Sequence, residues 1–210
     1  MKLLEALKKK EHIIWDWNGT LLDDVHHAVA TINHLLQEHH LPLITREQYR
    51  KIFCFPVRKY YEQLGFDFQK KPFEDLCEDF VSRYMKGLPR LGLMPAMFST
   101  LVELHQHNRK QSILSATDQA NLDLIIEHYD LKSIFTHVYG IDNKLAGSKI
   151  DRGHELIRTS SIPLEDTILV GDTLHDLEVG QALGVDVILI SHGHQCPTRL
   201  REHHDWVVEV

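Results

Sequence analysis

Short apolar segments alternate with amphipathic segments along most of the 210-residue chain, and this alternation is the strongest constraint on its fold. Several apolar segments are continuous rather than alternating, which is typical of strands covered on both faces. Strands separated by helices form parallel sheets. The predicted strands are residues 12–17, 111–116, 136–141, 167–172, 186–191 and 205–210. The predicted fold class is therefore α/β, with a doubly wound parallel sheet.

Helices are predicted between or after these strands, at residues 96–108, 119–129, 149–160, 175–183 and 197–203. Asp118, Thr173 and Thr198 stand at or near the starts of three of them. Their side chains can accept hydrogen bonds from the first helical turn, so we predict them as N-caps. The first twelve residues, MKLLEALKKKEH, predict a short helix ahead of the first strand.

The connection between the first two strands is far longer than the others, and its periodicity is helical. Prolines and glycines divide it into several segments, at Pro42, Pro56, Gly65 and Pro89. We predict an α-helical cap domain at residues 22–92, inserted into a core domain formed by residues 1–21 and 93–210. The insertion follows the carboxyl end of the first strand, where α/β sheets bind ligands.

The composition excludes several classes of function. A net charge of −7 and a pI near 6.1 argue against a nucleic-acid partner. No apolar run approaches the roughly 18 residues needed to cross a bilayer, so we expect a soluble protein without a membrane partner. Cys54, Cys77 and Cys196 lack the spacing of a disulfide framework or a zinc site. We expect a cytoplasmic protein, and its oligomeric state cannot be read from the sequence.

Acidic residues stand at the carboxyl ends of two predicted strands, which meet at one edge of a parallel sheet. Asp16 ends the first strand, and Asp172 and Asp176 follow the fourth. Carboxylates crowded together repel one another unless a cation joins them. A hard divalent cation with oxygen ligands, most simply Mg²⁺, resolves this repulsion.

A hydroxyl and a lysine near this edge suit a phosphoryl group. Ser115 ends the second strand, and its hydroxyl can bind a phosphoryl oxygen together with amides of the glycine-flanked turn after Asp16. Lys149, at the start of a helix, can balance the charge, with Lys144 as the alternative. An aspartate can then act as a covalent nucleophile and form an aspartyl-phosphate that water hydrolyses.

Four motifs occur in an order that resembles the haloacid dehalogenase superfamily: DWNGTL at residues 16–21, the serine of ILSAT, Lys149, and GDTLHD at residues 171–176. The resemblance covers the chain from about residue 12 to its end. It is to phosphatase-type members with a helical cap, similar to phosphoglycolate phosphatases. It implies a Rossmann-like core and Mg²⁺-dependent hydrolysis of a small phosphorylated metabolite.

The resemblance also implies a role for each matching residue. Asp16 would be the nucleophile and a metal ligand, joined by the Asn18 carbonyl, by Asp172, and by Asp176 directly or through water. The residues implied in phosphate binding are Asn18, Gly19, Ser115, Ala116 and Lys149. Ser115 and Lys149 would also stabilise the charged intermediate, and Gly19 and Thr20 would form the turn after the nucleophile.

Asn18 departs from the pattern of the superfamily. Its phosphatases usually have aspartate at this position, as general acid and then general base. Asparagine cannot exchange a proton at neutral pH. General acid-base catalysis, which it therefore cannot supply, is worth about 10² to 10⁴-fold in rate. Three functions stay open: a phosphomonoester hydrolase in which water or a cap residue replaces the acid, a hydrolase of another bond such as a phosphonate C–P bond, or a weakly catalytic phosphate-binding regulatory protein. The second would use a Schiff-base lysine among Lys51, Lys59, Lys70, Lys71 and Lys86.

Substrate contacts are predicted in FCFPVRKYY, residues 53–61, where Arg58 could meet an anionic group, although an ordinary helix start fits this segment equally well. The aromatic residues of the insertion are otherwise expected in its helical core. Most of the 16 histidines are adjacent or two residues apart, which predicts solvated side chains rather than a metal site. His192 or His194 could line the pocket, and His175 is predicted to face outward.

Overall fold

A six-stranded parallel sheet forms the centre of the structure. The computed structural model describes residues 3–142 and 148–209. The strands lie in the order β3-β2-β1-β4-β5-β6. Their bounds are β1 His12–Trp15, β2 Lys110–Asp118, β3 His137–Ile141, β4 Thr167–Gly171, β5 Asp186–Ile190 and β6 Val207–Val208. β1 is central because it pairs with β2 on one side and β4 on the other.

Both faces of the sheet are covered by apolar side chains. In β1, Ile13 and Trp15 pack into one hydrophobic cluster, whereas Ile14 packs into a second. Successive residues of a strand point to opposite faces, so the two clusters lie on opposite sides of the sheet. This explains why β1 is apolar at consecutive positions, and it confirms the predicted doubly wound α/β core.

Ten α-helices occur in the described residues. They are α1 Leu3–Leu7, α2 Val25–Glu38, α3 Arg46–Ile52, α4 Val57–Gln63, α5 Phe73–Gly87, α6 Pro95–Gln106, α7 Gln119–His128, α8 Ile150–Ser160, α9 Leu174–Leu183 and α10 Pro197–Arg201. Short 3₁₀ turns lie at Leu88–Arg90 and Leu164–Asp166. None of the helices in residues 3–142 or 148–209 combines the length and apolarity that crossing a membrane requires.

The long connection after β1 is helical, as its periodicity predicted, and contains α2 to α5. Its two ends lie side by side, because Leu22 and Leu93 form an antiparallel bridge. The Asp23 amide donates to the Gly92 carbonyl at 3.0 Å, and the Met94 amide donates to the Leu21 carbonyl at 2.9 Å. The segment therefore leaves and re-enters the core at one point. Its boundaries as a separate domain, residues 22–92, stay a prediction.

Helix α3 joins this segment to the loop after β5. The Arg50 guanidinium donates to the carbonyls of Ser191 at 2.6 Å and Gln195 at 2.9 Å. The Cys196 amide donates to the Arg50 carbonyl at 3.1 Å. The Gln195 side-chain amide donates to the Phe53 carbonyl at 3.0 Å. These hydrogen bonds hold the insertion over the carboxyl edge of the sheet.

Several sequence-based boundaries need correction. Asp118 and Thr173 cap α7 and α9 as predicted, but the N-cap of α10 is Cys196 rather than Thr198. Pro197 takes the first helical position, which proline favours because it needs no amide partner there. β6 covers two residues rather than the predicted six. It pairs only with β5, at the edge of the sheet.

We predict that Gly140→Ala lowers the free energy of unfolding by about 1–3 kcal/mol. A Cβ atom at this position in β3 would lie 2.6 Å from the Thr117 carbonyl oxygen and 2.8 Å from the Gln119 Cα atom. Both are backbone atoms, one in β2 and one at the start of α7, so β3 would have to move away from them. Urea denaturation measures the change.

Gly92→Ala is the matched control, because no heavy atom lies within 4 Å of a Cβ added there. We expect it to leave stability unchanged or to raise it by less than about 1 kcal/mol. Equal stability of the two variants would contradict the close approach at Gly140.

Candidate active site

The chain turns sharply directly after β1. The Trp17 carbonyl accepts from the amides of Thr20, Leu21 and Leu22 at 2.9 to 3.3 Å. Gly19 has a φ of +71°, and a Cβ there would overlap the side chains of Asp172 and His194. The position therefore requires glycine both for its backbone conformation and for space. The turn brings Asp16, Asn18 and Thr20 to the edge of the sheet.

Three buried carboxylates meet at this edge. One carboxylate oxygen of each of Asp16, Asp172 and Asp176 lies within 4.8 Å of the others. The pKa of Asp16 is raised to about 8, chiefly by burial; Lys149 opposes this rise, and the charges of Asp176 and Asp172 add to it. Burial likewise raises the pKa of Asp172 to about 6. A bound cation would offset the cost of burying these negative charges and the repulsion between them. These three residues could therefore hold a metal ion.

Lys149 is the positive charge closest to the carboxylates. Its Nζ atom lies 2.5 Å from Asp16 Oδ1 and 2.7 Å from Asp176 Oδ1, and it donates to the Leu114 carbonyl at 2.9 Å. Burial by itself would lower the pKa of Lys149, but Asp16 and Asp176 raise it above its ordinary value. The lysine is therefore charged and fixed beside Asp16. Lys144, the alternative lysine, lies outside the described residues.

Hydrogen bonds fix the remaining oxygens of the acidic cluster. Thr20 Oγ1 donates to Asp172 Oδ1 at 3.0 Å, and the His194 amide donates to Asp172 Oδ2 at 2.5 Å. Asp176 Oδ2 accepts from the amide and the hydroxyl of Thr173 at 3.0 and 2.7 Å. The Thr173 hydroxyl in turn caps α9, so the start of this helix positions Asp176.

Ser115 and Ala116 are two of the residues predicted to bind a phosphoryl group. Both residues line the same cavity as Asp16 and Lys149. The Ser115 hydroxyl is buried and accepts from the Thr117 amide at 3.1 Å. A hydroxyl oxygen that accepts one hydrogen bond can still donate its own hydrogen to another group. The lining of this cavity thus includes every predicted site residue except Gly19.

The Asn18 side chain is held by three neighbours. Its amide nitrogen donates to the Tyr84 hydroxyl oxygen at 2.8 Å and to Asp24 Oδ2 at 3.1 Å. Its amide oxygen accepts from the Thr117 hydroxyl at 2.9 Å. Both donor hydrogens of the amide are therefore engaged. Asn18 connects the core, through Thr117, with Tyr84 of α5.

A buried ion pair lies behind Asn18. Asp24 Oδ1 lies 3.2 Å from His194 Nε2, whose other ring nitrogen contacts the Tyr49 hydroxyl at 2.7 Å. Burial by itself would lower the pKa of His194, but Asp24 outweighs it and raises this pKa to about 9. Burial raises the pKa of Asp24, but His194, Tyr84 and Asn18 outweigh burial and lower it. The imidazolium and the carboxylate are therefore both charged at neutral pH.

The far end of the cavity is formed by the helical insertion. Phe53, Phe55, Val57, Tyr60 and Tyr61 line it, which fits the prediction of substrate contacts in residues 53–61. Arg58 does not line it. Its guanidinium instead lies over the rings of Phe68 and Phe73, 4.6 and 5.4 Å from their centroids.

The histidine predictions have mixed outcomes. His194 lines the cavity, as one of the two candidates. His192 contacts the Thr20 carbonyl at 3.3 Å instead. The prediction that His175 faces outward is wrong: the residue is buried, lines the cavity and stacks on Phe55 with ring centroids 4.5 Å apart. Phe55 comes from the distant insertion, so helix position alone could not show this contact.

Sequence reasoning missed Asp24, Tyr84, Tyr49 and Thr117. Asp24 and Thr117 stand within a few residues of Asn18 and Ser115 in the sequence, so proximity to a motif was an available signal. Tyr84 and Tyr49 had no such signal. They reach the site only because α5 and α3 pack over the sheet edge.

Residues 13–190 match the family model of haloacid dehalogenase-like hydrolases. This range is well over half of the chain. The protein therefore belongs to the haloacid dehalogenase-like hydrolase family, which confirms the resemblance seen in the four motifs.

Individual relatives are distant. The tyrosine-protein kinase PtkA of Mycobacterium tuberculosis is 22% identical over 185 residues, which are 87% of this chain and 62% of that protein. The chain thus spans less than two thirds of that relative's length. A phosphoglycolate phosphatase of Synechococcus elongatus is 23% identical over 208 residues, which are 94% of this chain and 92% of that protein. A haloacid dehalogenase-like hydrolase from Streptococcus pneumoniae is 20% identical, with a TM-score of 0.78 over 96% of this chain and 94% of its own. That structural likeness shows the fold.

We predict that the metal-free protein loses stability as pH rises from about 6.5 to about 9. The pKa of His194 is raised from 6.5 to about 9 on folding. Its ion pair with Asp24 therefore stabilises the fold fully below pH 6.5 and is lost as pH rises through 9. At about 1.4 kcal/mol per pKa unit, the loss is at most about 3 kcal/mol. The raised pKa of Asp16 acts in the same direction.

Denaturant unfolding in the presence of a chelator measures this dependence. His194→Gln is the control, since it removes the titrating ring and keeps a donor that can face Asp24. Its stability should vary less over the same pH range. The same pH dependence in both proteins would show that the ion pair is not its source.

Proposed function

We propose that the protein is a Mg²⁺-dependent phosphomonoester hydrolase that acts on a small metabolite through an aspartyl-phosphate at Asp16. The observation that carries this proposal is the placement of Asp16, Lys149 and Ser115 around one end of a cavity, beside a cluster of three carboxylates. The family and the phosphoglycolate phosphatase relative support the same reaction class.

The donor set suits Mg²⁺. Asp16, Asp172 and Asp176 offer carboxylate oxygens only, and the backbone carbonyl of Asn18 is proposed to join them. Magnesium prefers such hard oxygen ligands and keeps part of its water shell. When bound, it would neutralise negative charge on the carboxylates and on the phosphoryl group.

Asp16 then acts as the nucleophile. One of its carboxylate oxygens attacks phosphorus, the bond between phosphorus and the ester oxygen breaks, and the departing oxygen takes a proton from water. A second water attacks phosphorus, the bond from phosphorus to the Asp16 oxygen breaks, and inorganic phosphate leaves. Splitting the reaction in this way replaces one difficult step by two easier ones.

Lys149 and Ser115 hold the phosphoryl group during both steps. The lysine is already charged and within 2.5 Å of Asp16, so a phosphoryl group on that carboxylate would lie next to it. The Ser115 hydroxyl has a hydrogen free to donate toward a phosphoryl oxygen. Donors fixed before the reaction stabilise developing charge without reorganisation.

Asn18 determines which esters react well. It can donate and accept hydrogen bonds, but it cannot deliver a proton to the departing oxygen. Esters whose alcohol leaves readily as an anion are therefore favoured. Among the described residues lining the cavity there is no lysine of the insertion, so the contacts give no support to a Schiff-base phosphonatase.

We predict Mg²⁺-dependent phosphate release from a panel of phosphomonoesters, abolished by a chelator and by Asp16→Asn. The substituted amide loses the negative oxygen that attacks phosphorus. Phosphate release is measured colorimetrically. Release that persists in Asp16→Asn would remove Asp16 as the nucleophile.

A second readout tests the metal without turnover. Added Mg²⁺ should raise the Tm of the wild-type protein, and Asp172→Asn should reduce this shift, because ligand binding to the folded state stabilises it. Asp186→Asn is the control, since Asp186 is exposed at the opposite, amino end of β5. Equal Mg²⁺ shifts in Asp172→Asn and the wild type would place the metal elsewhere.

We predict that Asn18→Asp raises the rate for alkyl phosphates more than for aryl phosphates. The new carboxyl group would lie next to Asp24, since the Asn18 amide is 3.1 Å from that carboxylate. Neighbouring carboxylates raise one another's pKa, which is the property a general acid needs. The gain for alkyl esters could reach about 10²-fold or more.

The measurement is kcat against the pKa of the leaving alcohol, for both proteins, with Tm as a check of folding. The wild type should show a steep dependence and Asn18→Asp a shallow one. Identical slopes in two folded proteins would show that position 18 has no part in proton transfer.

A further inference from the structure

The cavity has two chemically different halves. The half at the sheet edge contains the carboxylates, Ser115 and Lys149. The other half belongs to the insertion, seven of whose aromatic rings line it. We call four of them, half-buried or buried, the aromatic wall: Phe53, Phe55, Phe80 and Tyr84. A phosphoryl group bound at the polar half would direct the organic part of its ester toward this wall.

Positive charge is scarce around the cavity. Of the described residues that line it, Lys149, His175 and His194 alone can carry a positive charge. Each is already next to a carboxylate: Lys149 next to Asp16 and Asp176, His194 next to Asp24, and His175 next to Glu178. Lys149 and His194 are held by buried carboxylates, and burial lowers the pKa of His175, so its ring is largely neutral at pH 7.

Three arginines of the insertion contact other partners, and none of its arginines lines the cavity. Arg50 binds main-chain carbonyls of the core loop, Arg58 lies over the rings of Phe68 and Phe73, and Arg83 pairs with Glu38. A carboxylate or second phosphate facing the aromatic wall would lose its water without gaining a cation. Burying an unpaired charge is strongly unfavourable.

The wall offers aromatic contacts instead. Phe53 and Phe55 lie edge to face with centroids 5.6 Å apart, and Phe80 and Tyr84 are stacked at 5.8 Å. Aromatic groups prefer such offset or edge-to-face neighbours. The volume of the whole cavity is about 180 Å³, and a cavity of about 150 Å³ holds one benzene molecule. This size limits the organic group of a substrate to at most one small ring.

We propose that the substrate is the phosphate monoester of a small, uncharged aromatic alcohol, with its ring against the aromatic wall. This inference rests on the proposed function, because it takes the phosphoryl group to lie at Asp16. It deepens that function by naming the substrate class. Phosphoglycolate, with its carboxylate, is then a poor substrate of this chain.

Binding of phosphonates that cannot be hydrolysed tests the proposal apart from turnover. Benzylphosphonate replaces the ester oxygen of phenyl phosphate by carbon, and 3-phosphonopropanoate does the same for phosphoglycolate. Calorimetry with the wild-type protein in Mg²⁺ should show benzylphosphonate binding at least about tenfold more tightly. Equal or tighter binding of 3-phosphonopropanoate would overturn the proposal.

Two variants locate the ring. Phe80→Leu keeps an apolar side chain but removes a ring of the aromatic wall, and it should weaken benzylphosphonate binding about 2- to 10-fold. Phe98→Leu makes the same change on α6, where Phe98 is 43% exposed and lies outside the cavity. Its binding should equal that of the wild type. Equal affinities of the two variants would place the ring elsewhere.

A third variant should reverse the preference. Val81 lines the cavity and is only partly buried, so Val81→Arg can introduce a cation with little cost to packing. It should raise affinity for 3-phosphonopropanoate relative to benzylphosphonate. If a Val81→Arg variant with wild-type Tm kept the wild-type ratio of the two affinities, scarcity of cations would not be the cause of selectivity.

The outcomes separate this inference from the function beneath it. Phosphate release from phosphoglycolate at a higher kcat/KM than from phenyl phosphate would leave the hydrolase proposal intact and overturn the aromatic substrate class. No release from any ester, together with tight benzylphosphonate binding, would overturn the hydrolase proposal and retain the aromatic binding preference.

Discussion

Three buried carboxylates share one lysine at the carboxyl edge of the sheet, and the rest of the site is arranged around this excess of negative charge. Lys149 lies between Asp16 and Asp176, while Asp172 depends on the Thr20 hydroxyl and the His194 amide. Such a cluster is costly in a low-dielectric interior. It forms because the parallel order of β1 and β4 brings their carboxyl ends together, and its three carboxylates could hold a hard cation.

A fourth carboxylate connects this cluster to the helical insertion. Asp24 pairs with His194 of the core loop and accepts hydrogen bonds from Tyr84, Asn18 and the Gly19 amide. The group that fixes the turn after β1 therefore also fixes α5 above it. Removing one partner would leave a buried charge uncompensated, which is far more destabilising than losing an exposed ion pair. The position of the insertion and the orientation of Asn18 thus depend on the same interaction.

The sequence predicted the parts of this arrangement that local pattern controls. Continuous apolar runs located β1, β2 and β4, and the motifs located Asp16, Ser115, Lys149, Asp172 and Asp176, because strand ends converge in any parallel sheet. It did not predict the pairing of His175 with Phe55, nor the approach of Tyr84 to Asn18. Those contacts depend on how helices of the insertion pack across the sheet edge, and helical periodicity specifies which face is apolar without specifying its partner. The Thr198 error differs, since Pro197 already indicated where α10 begins.

Asn18 and the aromatic wall impose the same requirement on a substrate from opposite ends of the cavity. An alkoxide needs a proton as it departs, whereas an aryl oxide spreads its negative charge into the ring and departs more readily without one. The cavity offers no acid at position 18, and its described lining offers no uncommitted cation near the departing group. Under the proposed substrate class, an aryl ester meets both restrictions, because its ring fits the wall and its aryl oxide departs without a proton donor. On this proposal, asparagine at position 18 is compatible with turnover of aryl esters, because their leaving groups do not need the missing carboxylate.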